Sequence, residues 1–534
     1  MELEAKRALS TIRFSMNTFP TINRLPPEVL ALIPSFLTPY QDLVHTTHVC
    51  RHWRNTIIAS PPLWSSLDNE LTHRDLVATY MDRCGDTPLD VFFSPEPHKN
   101  MPFLNKVVLH SSHIRKMRTP CIPWLQIAQI SDTFNTPLPL LRDVELSIAY
   151  HSSPPPFQRP FLAGATNLTS LNLSDYTRFS GTLLHFNFPT LTHLTLFFGY
   201  SRTTMVSELL ELLRTSPLIE DVLIHAYVVL DASEENPALP DRFRPVDLPC
   251  LRDIQLSWST PRSQYTLLTH IQYPPDCSVW TQVGSDSNVG QPPRDVFPKS
   301  WDVFPLPDLS CVTLRMNRTL LSTECAVIIE KSNGASVSIS HLLDVENFVS
   351  ENGDGDQVME PNRDRDDGRV FSDAIALVGK LPLGWIRKFV LEDLRADEMS
   401  KPESFEIPPA LVKLICSDMP NLTTLSLTRT CVSELLNILA PPPPPPPTYL
   451  ADLFDPDVTP ESSVPCPTLK VLEIRHSAWV ASRHCREVLA LAKARKHAKV
   501  PLERVFICSP SAPKSMALGM SLYVDDVDIQ KCNV

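Results

Sequence analysis

Three histidines near the N-terminus have a spacing that can bind a metal ion. His45, His48 and His52 fall at i, i+3 and i+7, which is one face of a continuous helix. His48 and His52 also repeat the HxxxH spacing of zinc-binding helices. Val49 stands where such helices carry a glutamate, and no distant acidic ligand can be nominated. We therefore expect a partly exposed helical face, and we predict no metal site and no cofactor.

An acidic, glycine-bearing segment at residues 345–370 is the second candidate for ion binding. Its aspartates could suggest calcium, but their spacing does not match the loop of an EF-hand. We expect a solvated loop instead. The aspartates concerned are Asp354, Asp356, Asp364, Asp366 and Asp367.

Catalytic sequence motifs are absent from the chain. It contains no GxxxxGK[ST] loop, no GxGxxG, no HExxH and no GxSxG elbow. No local arrangement pairs a nucleophile with a base, so we predict no catalytic residues. An enzyme with a repeat-like fold remains an alternative, and it would need a deep pocket with converging titratable groups.

Composition limits the classes of partner. The 534 residues carry 48 basic and 60 acidic side chains, a net charge of −12, which disfavours nucleic acid and anionic membranes. The 13 cysteines are scattered without a CxxC pair, so we expect reduced, buried thiols in a cytoplasmic or nuclear protein. We also expect no signal peptide and no transmembrane helix.

The most strongly patterned stretch runs from Ile22 to Leu67. Pro26 and Pro27 suit the start of a helix, and apolar residues at helical spacing follow them up to Leu37. Pro34 should kink or shorten that helix. Two further helical segments and a proline stop follow, so we predict a small three-helix module.

The order of short motifs in this stretch resembles an F-box. The motifs are LPPEVL at 25–30, FL at 36–37, DL at 42–43, VCRHWR at 49–54 and PLW at 62–64. The resemblance implies binding to the Skp-type adaptor of a cullin–RING (SCF) ubiquitin ligase. It carries adaptor contact over to Leu25, Pro26, Val29, Leu30, Ile33, Leu37 and Leu43.

Physical reasoning about size also favours docking. A module of about 45 residues rarely buries enough surface to be stable alone, so some of its apolar residues should face a partner or the next domain. The alternative is an ordinary helical cap on the rest of the chain.

A second pattern, L-x-x-L-x-L with Ile, Val or Phe allowed, recurs after the module. Helical stretches separate its copies, as in leucine-rich repeats of about 20–29 residues. Irregular spacing leaves an ordinary α/β domain as the alternative. The first residues of the copies are Leu104, Leu141, Leu168, Leu191, Ile219, Leu251, Leu309, Ile386, Leu422, Leu469 and Leu502.

Together these patterns predict an α/β protein with an N-terminal three-helix F-box and an irregular leucine-rich-repeat solenoid, a horseshoe with a parallel concave sheet. The whole order resembles the leucine-rich F-box proteins common in fungi. The predicted boundaries are a tail or short helix at 1–20, the F-box at 21–67, the repeat domain at 68–510 and a C-terminal tail at 511–534. Loop insertions are predicted at 274–308, 345–370 and 441–467, the last containing seven prolines at 441–447.

These expectations predict a non-catalytic substrate-receptor subunit of an SCF-type ligase, which binds the adaptor at one end and a protein substrate at the other. The alternative is an adaptor-independent interaction scaffold. Periodicity alone nominates side chains between the first two apolar positions of the repeat as substrate contacts. These are Thr192, His193, Arg252, Asp253, Thr423 and Thr424.

Overall fold

The structure is a computed structural model. It describes residues 2–17, 21–36, 40–68, 74–93, 103, 107–123, 137–149, 162, 164–175, 187–198, 203–225, 227–229, 244–259, 261–284, 309–318, 322–344, 363–395, 408–428, 432–440, 464–475, 482–508 and 515–530. The chain divides into two units, residues 1–227 with 236–251 and residues 228–235 with 252–534.

The first unit begins with helices and continues as strands. Its helices are α1 (Glu2–Asn17), α2 (Pro27–Ser35), α3 (Tyr40–Thr46), α4 (Arg51–Ile58), α5 (Arg74–Cys84) and α6 (Val206–Arg214), with 3-10 turns at Thr21–Arg24, Pro61–Trp64 and Val108–His113. Its strands are β1 (Ser66–Asp68), β2 (Leu89–Phe92), β3 (Ile114–Pro123), β4 (Asp143–Ala149), β5 (Ser170–Asp175), β6 (His193–Phe198), β7 (Thr203–Met205), β8 (Asp221–His225) and β10 (Val246–Asp247). Strand β9 (Tyr227–Val229) crosses the boundary between the two units, because Tyr227 belongs to the first and Val228 to the second.

Seven of these strands form a parallel sheet in chain order. Each of β2 to β6 pairs with the strand before it, and β8 pairs with β6. Parallel neighbours require a crossover between them, which places each strand one step further along the sheet. The described strands of this unit are therefore added to the sheet one after another in chain order.

The apolar positions of the L-x-x-L-x-L pattern form the core under this sheet. Leu168, Leu171 and Leu173 are each at most 1% exposed, and the equivalent residues of β4, β6 and β8 are similarly buried. Since side chains of a strand alternate between two faces, the last two apolar positions share the buried face. The first copy is the exception, because Leu109 lies in a 3-10 turn and is 81% exposed.

The turns before the strands are held by a regular hydrogen-bond ladder. The carbonyl oxygen of Thr169 accepts the N–H groups of Thr192 and His193, at 2.8 and 3.0 Å. One step back, the carbonyl of Arg142 accepts from Thr169 and Ser170 at 2.8 and 2.9 Å. The same bond pattern recurs in the second unit, where the acceptor carbonyls belong to Arg387, Thr423 and Lys470. Adjacent turns are thereby fixed in register before the strands begin.

The second unit contains strands of both directions. Its strands are β11 (Asp253–Ser259), β12 (Ile271–Gln272), β13 (Ser278–Gly284), β14 (Leu309–Arg318), β15 (Ser322–Lys331), β16 (Ser336–Asp344), β17 (Lys388–Arg395), β18 (Thr424–Thr428), β19 (Val471–Arg475), β20 (Arg504–Cys508) and β21 (Asp526–Gln530). Its helices are α7 (Pro261–Thr269), α8 (Arg363–Val378), α9 (Pro409–Lys413), α10 (Val432–Leu439), α11 (Ser482–His497) and α12 (Ser515–Met520), with a 3-10 turn at Leu383–Trp385.

The sheet of the second unit corrects the prediction of a purely parallel sheet. Its order is β11-β13-β16-β15-β14-β17-β18-β19-β20-β21, and β15 is antiparallel to both of its neighbours. The β15–β16 connection at residues 332–335 is a tight turn with Gly334 at φ 90°. A short turn of this kind can join only antiparallel strands, which explains the reversal.

Three predicted boundaries differ from the structure. The insertion at 274–308 contains strand β13, whose alternating Val279, Thr281 and Val283 are buried. The insertion at 345–370 includes the first residues of α8, which begins at Arg363. The tail at 511–534 contains α12 and β21, and β21 pairs in parallel with β20. The polyproline run at 441–447 lies outside the described residues.

Eight described cysteines are free thiols, as expected, and five of them are buried, whereas Cys50 and Cys416 are half-buried and Cys250 is exposed. Cys508 corrects that expectation, because it is disulfide-bonded. It lies on β20 at a position of the strand that is only half-buried. Among the described helices, none combines the length and apolar character that crossing a membrane requires.

Candidate docking surfaces

The N-terminal module folds around a small apolar core. Helices α2, α3 and α4 pack against one another, and Leu30, Leu43 and Ile57 are at most 6% exposed. Trp53 closes one side, where its indole Nε1–H donates to Asn23 Oδ1 at 2.7 Å. The spacing of apolar residues in the sequence is explained by this core, since each helix contributes the residues of one face.

Trp64 joins the module to the segment that follows. It is 0% exposed, and its Nε1–H donates to the carbonyl oxygen of Ile57 at 2.9 Å. Its ring packs edge-on against Tyr80 of α5, with 4.8 Å between centroids, and the Arg83 guanidinium lies 4.4 Å from the ring centre. Since aromatic and cation–π contacts prefer defined geometries, they orient α5 relative to the module.

The outer face of α2 carries an exposed apolar stripe. Val29 is 43% exposed, Leu32 57% and Phe36, the residue that follows the helix, 82%. These positions are spaced i, i+3 and i+7, so they share one face of the helix. Ile33 is half-buried beside them, and Pro26 is exposed at the N-terminal end. Apolar side chains that are this exposed and contiguous mark a surface suited to a partner.

The predicted adaptor contacts divide into several groups. Pro26 and Val29 are exposed, Leu25 and Ile33 are half-buried, and Leu37 lies outside the described residues. Leu30 and Leu43 are core residues whose side chains face the interior of the module. Leu32 and Phe36 are exposed but were not among the predicted contacts, although their i+3 and i+7 spacing from Val29 was an available signal. Adaptor contact at the predicted residues stays a prediction.

Pro34 of α2 belongs to the core of the N-terminal module. It is buried, as is Leu30 four residues earlier, and the helix ends one residue after it at Ser35. A proline inside a helix removes the hydrogen bond to residue i−4 and limits its length. The sequence-based expectation of a short helix agrees with this geometry, and the exposed stripe lies on the opposite side.

The three histidines do not share a helical face. Helix α3 ends at Thr46 and α4 begins at Arg51, so His48 lies in the turn between them. His45 lies 3.9 Å from the Asp42 carboxylate and is exposed. Within the described part of the chain, no group of three or more His, Cys, Asp or Glu side chains could hold a metal ion.

The outward face of the first unit's sheet is polar and internally paired. Arg115 donates two hydrogen bonds to the Asp90 carboxylate, at 3.0 and 2.7 Å, and this contact raises the pKa of the guanidinium. Arg118 pairs with Glu145 at 2.8 Å across β3 and β4. These pairs are exposed, so they contribute little to stability and remain accessible for exchange with a partner.

The end of this face near β6 and β8 has a different character. His193 Nε2 lies 3.1 Å from the Asp221 carboxylate, and Phe197 lies 5.3 Å from the His225 ring. Burial lowers the pKa of His225, so its ring is neutral near pH 7. Phe197 is 38% exposed. The face thus combines charged pairs with one exposed aromatic side chain.

The predicted substrate contacts fall into two structural classes. The Thr192 and Thr423 hydroxyls donate to the carbonyl oxygens of Thr169 and Arg387, at 2.9 and 3.0 Å, so both residues belong to the turn ladder. His193 and Thr424 are the first residues of β6 and β18, as Asp253 is of β11, and Arg252 precedes that strand. Substrate contact at these six residues stays a prediction.

The corresponding face of the second unit is also charged. Arg315 pairs with Glu392 at 2.6 Å, and Arg475 pairs with Glu473 at 3.0 Å. At the last two strands, Arg504 lies 3.2 Å from Asp526 and 3.8 Å from Asp528. The strand positions that the repeat leaves outward therefore carry most of the described ion pairs.

Four buried groups in the second unit have strongly raised pKa values. Burial raises the pKa of the Cys277 thiol to about 12 and that of Cys311 to about 11. It also raises the pKa of the Tyr265 and Tyr273 phenols above their usual range. A catalytic acid or base needs a pKa near the working pH, which these groups lack.

Comparison with known proteins agrees with the geometry of the N-terminal module. A search of curated proteins found no match for the chain. Residues 22–70 match the family model described as F-box-like, and this match supports an F-box protein. F-box domains bind Skp1-type adaptors in SCF complexes, and F-box proteins are in general non-catalytic. The matched segment contains the core around Leu30, the exposed stripe of α2 and the Trp64 junction.

Proposed function

We propose that this protein is a non-catalytic substrate-receptor subunit of an SCF-type ubiquitin ligase, acting in the cytoplasm, the nucleus or both. Its F-box-like segment would bind a Skp-type adaptor through the exposed stripe of α2. The strands beyond it would form degenerate leucine-rich repeats that hold a protein substrate. Ubiquitin transfer would then follow from proximity to the charged enzyme that the ligase recruits.

One observation carries the proposal. Within the segment that matches the F-box-like family, Val29, Leu32 and Phe36 leave an apolar stripe exposed to solvent. A helix face of this kind buries apolar surface when it enters a groove on a partner. A helical cap on the strands would instead direct its apolar residues inward. The exposed stripe therefore favours docking over the adaptor-independent scaffold.

The test is co-purification of the full chain with a recombinant Skp-type adaptor and its cullin. We expect the wild-type chain to bind the adaptor and the double variant Leu32→Asp, Phe36→Asp to lose it. Leu109→Asp is the matched control, because Leu109 is an apolar residue with 81% exposure outside the module. Its binding should equal that of the wild-type chain.

Two results would change the assignment. Normal binding by the double variant would remove α2 as the docking surface. A wild-type chain that binds no adaptor would favour the interaction scaffold.

The repeat assignment rests on burial along the strands. In ten of the eleven predicted copies, the described apolar positions are buried and the last two lie on a strand. The spacings of 27, 23, 28 and 32 residues between Leu141, Leu168, Leu191, Ile219 and Leu251 are close to those of leucine-rich repeats. Outward strand positions are then the natural substrate contacts, because buried positions cannot reach a partner.

Substrate binding can be tested separately from adaptor binding. Proximity labelling with the intact protein should identify proteins that remain labelled when residues 1–67 are removed. Arg118→Glu, on the outward face of β3, should reduce labelling of true substrates, whereas Lys493→Glu on the exposed side of α11 should not. Equal labelling by both variants would exclude the β3 part of the sheet from recognition.

A further inference from the structure

Two cysteines from distant parts of the sequence meet in the second unit. Cys416 lies in a π-helical turn, Leu414–Asp418, that continues α9, and it is half-buried. Cys466 lies in the turn before β19 and is 1% exposed. The Cys466 thiol donates to the carbonyl oxygen of Ile415 at 3.0 Å, so its sulfur lies against the peptide bond that leads to Cys416. The Cys416 and Cys466 side chains also interact directly.

The backbone at both cysteines has an uncommon conformation. Cys466 has a φ of 48°, in the left-handed region that non-glycine residues seldom adopt. The π-helical turn at Cys416 is likewise rare and occurs often at functional sites. Such conformations persist only where surrounding contacts enforce them.

Arg495 of α11 supplies contacts that hold the turn at Cys466. Its side chain is 0% exposed, and its guanidinium donates to the carbonyl oxygens of Pro465, Cys466 and Leu469, at 2.9, 2.9 and 3.2 Å. Its Nε–H has no hydrogen-bond partner among the described residues. A buried cation is thus fixed beside the two thiols, in surroundings that favour an adjacent negative charge.

This environment shifts the pKa values of the two thiols in opposite directions. The interaction with the Cys466 side chain lowers the pKa of Cys416, and the charge of Arg495 lowers it further against the effect of burial. The same interaction and burial raise the pKa of Cys466. The first thiolate therefore forms on Cys416, the more accessible sulfur, while Cys466 remains a neutral thiol. Low-pKa thiols with a neighbouring second cysteine are those that peroxides oxidise selectively.

We propose that Cys416 and Cys466 form an oxidisable dithiol, in which hydrogen peroxide converts Cys416 to a sulfenic acid and Cys466 closes a disulfide. In the first step the Cys416 thiolate attacks one peroxide oxygen. An S–O bond forms, the O–O bond breaks, and the released hydroxide takes a proton to become water. In the second step the Cys466 sulfur attacks the Cys416 sulfur. The S–O bond breaks, and the hydroxide leaves as water with the Cys466 proton. The two thiols lose two electrons and the peroxide gains them.

Neither cysteine is among the proposed docking or substrate contacts, and the inference does not depend on them. A disulfide here would tie the turn before β19 to the π-helical turn that precedes β18. Closing a stretch of about 50 residues restricts the unfolded chain, so the oxidised protein should be more stable than the reduced one.

The test uses the purified full chain, first reduced and then treated with hydrogen peroxide. After the remaining thiols are blocked with N-ethylmaleimide in acid, non-reducing peptide mapping should find a linked peptide pair containing Cys416 and Cys466. Dithiothreitol should reverse the link. Cys250, an exposed thiol, and Cys311, a buried thiol whose pKa is raised to about 11, are internal references that should not join this link.

Two variants complete the experiment. Cys416→Ser should abolish the link and the oxidation-dependent rise in melting temperature. Cys466→Ser should leave Cys416 to be trapped as a sulfenic acid by dimedone. Oxidation of Cys416 to a sulfinic acid in the wild-type chain without a linked peptide would overturn the proposal. So would a Cys416 that reacts with peroxide no faster than Cys311.

Discussion

Leu30 and Leu32 are two residues apart on α2, and the structure gives them opposite roles. Leu30 is 0% exposed, whereas Leu32 is 57% exposed. Replacing a fully buried leucine by alanine costs about 2–5 kcal/mol. Replacing an exposed one changes stability by no more than about 0.5 kcal/mol. Leu30→Ala should therefore weaken the module, and Leu32→Ala should leave it folded.

The expected magnitudes follow from these burials. For Leu30→Ala, a loss of about 2–5 kcal/mol in the free energy of unfolding should speed hydrogen exchange across residues 27–58 at least roughly 30-fold. Each step of about 1.4 kcal/mol changes the population of the open state tenfold. For Leu32, full burial of a leucine is worth about 1.5–3 kcal/mol. The 57% that is exposed before docking would contribute roughly 0.9–1.7 kcal/mol. Leu32→Ala should thus weaken adaptor binding about 5- to 20-fold.

Hydrogen–deuterium exchange with mass spectrometry measures the first effect, and titration with purified adaptor measures the second. The reasoning would be refuted if Leu30→Ala kept wild-type protection, because the core assignment would then fail. It would be refuted equally if Leu32→Ala lost protection, since that residue would then be structural. Leu109→Ala is the control for removal of an exposed leucine outside the module.

Three further predictions concern single contacts. Trp64→Ala should lower the free energy of unfolding by about 3–5 kcal/mol, as measured by urea unfolding followed by circular dichroism. Trp64→Phe should lower it by less, because this variant keeps an aromatic ring and loses only the hydrogen bond to Ile57. Thr192→Val should lower the free energy of unfolding by about 0.5 kcal/mol, the low end for a hydrogen bond, because the Thr169 carbonyl keeps two backbone donors. Thr192→Ser keeps the hydroxyl and should have the melting temperature of the wild-type chain. Burial lowers the pKa of Lys331 from its usual 10.5, so the folded state holds this proton less tightly than the unfolded chain. The stability of the wild-type chain relative to Lys331→Met should therefore rise as the pH increases from 8 towards 10.5, and a flat difference would contradict this.

Much of the strand framework was predictable because one short pattern determines burial. Where L-x-x-L-x-L begins at a proline-led turn, as at Leu191 and Leu422, a buried strand follows, with the copy at Leu104 as the exception. The antiparallel strand β15 was not predicted, since STECAVIIEK lacks that pattern and its direction depends on the short turn at Gly334. The C-terminal strand β21 was missed because DVDIQ is acidic and only half-buried.

The F-box-like segment was predictable from the sequence, whereas the residues that α2 exposes were predictable only in part. Apolar spacing shows which residues lie on a helix, and it does not show which side faces the interior when both sides carry leucine or isoleucine. In α2 the interior side is decided by Leu30 and Pro34, which pack against the other helices. The dithiol site was not predictable either, because Cys416 and Cys466 are about 50 residues apart and meet only through the turns before β18 and β19.

The turn ladder bears on which residues of the proposed repeat domain could vary without loss of the fold. Carbonyls such as Thr169 O and Thr423 O each receive two backbone N–H groups from the next turn, whatever side chains those residues carry. Side chains at the outward strand positions, such as that of Arg118, donate no hydrogen bond to those carbonyls and form exposed ion pairs. Substitution there costs little stability. Selection for a new partner can therefore act on the outward strand residues, while the leucines and the turn carbonyls preserve the fold.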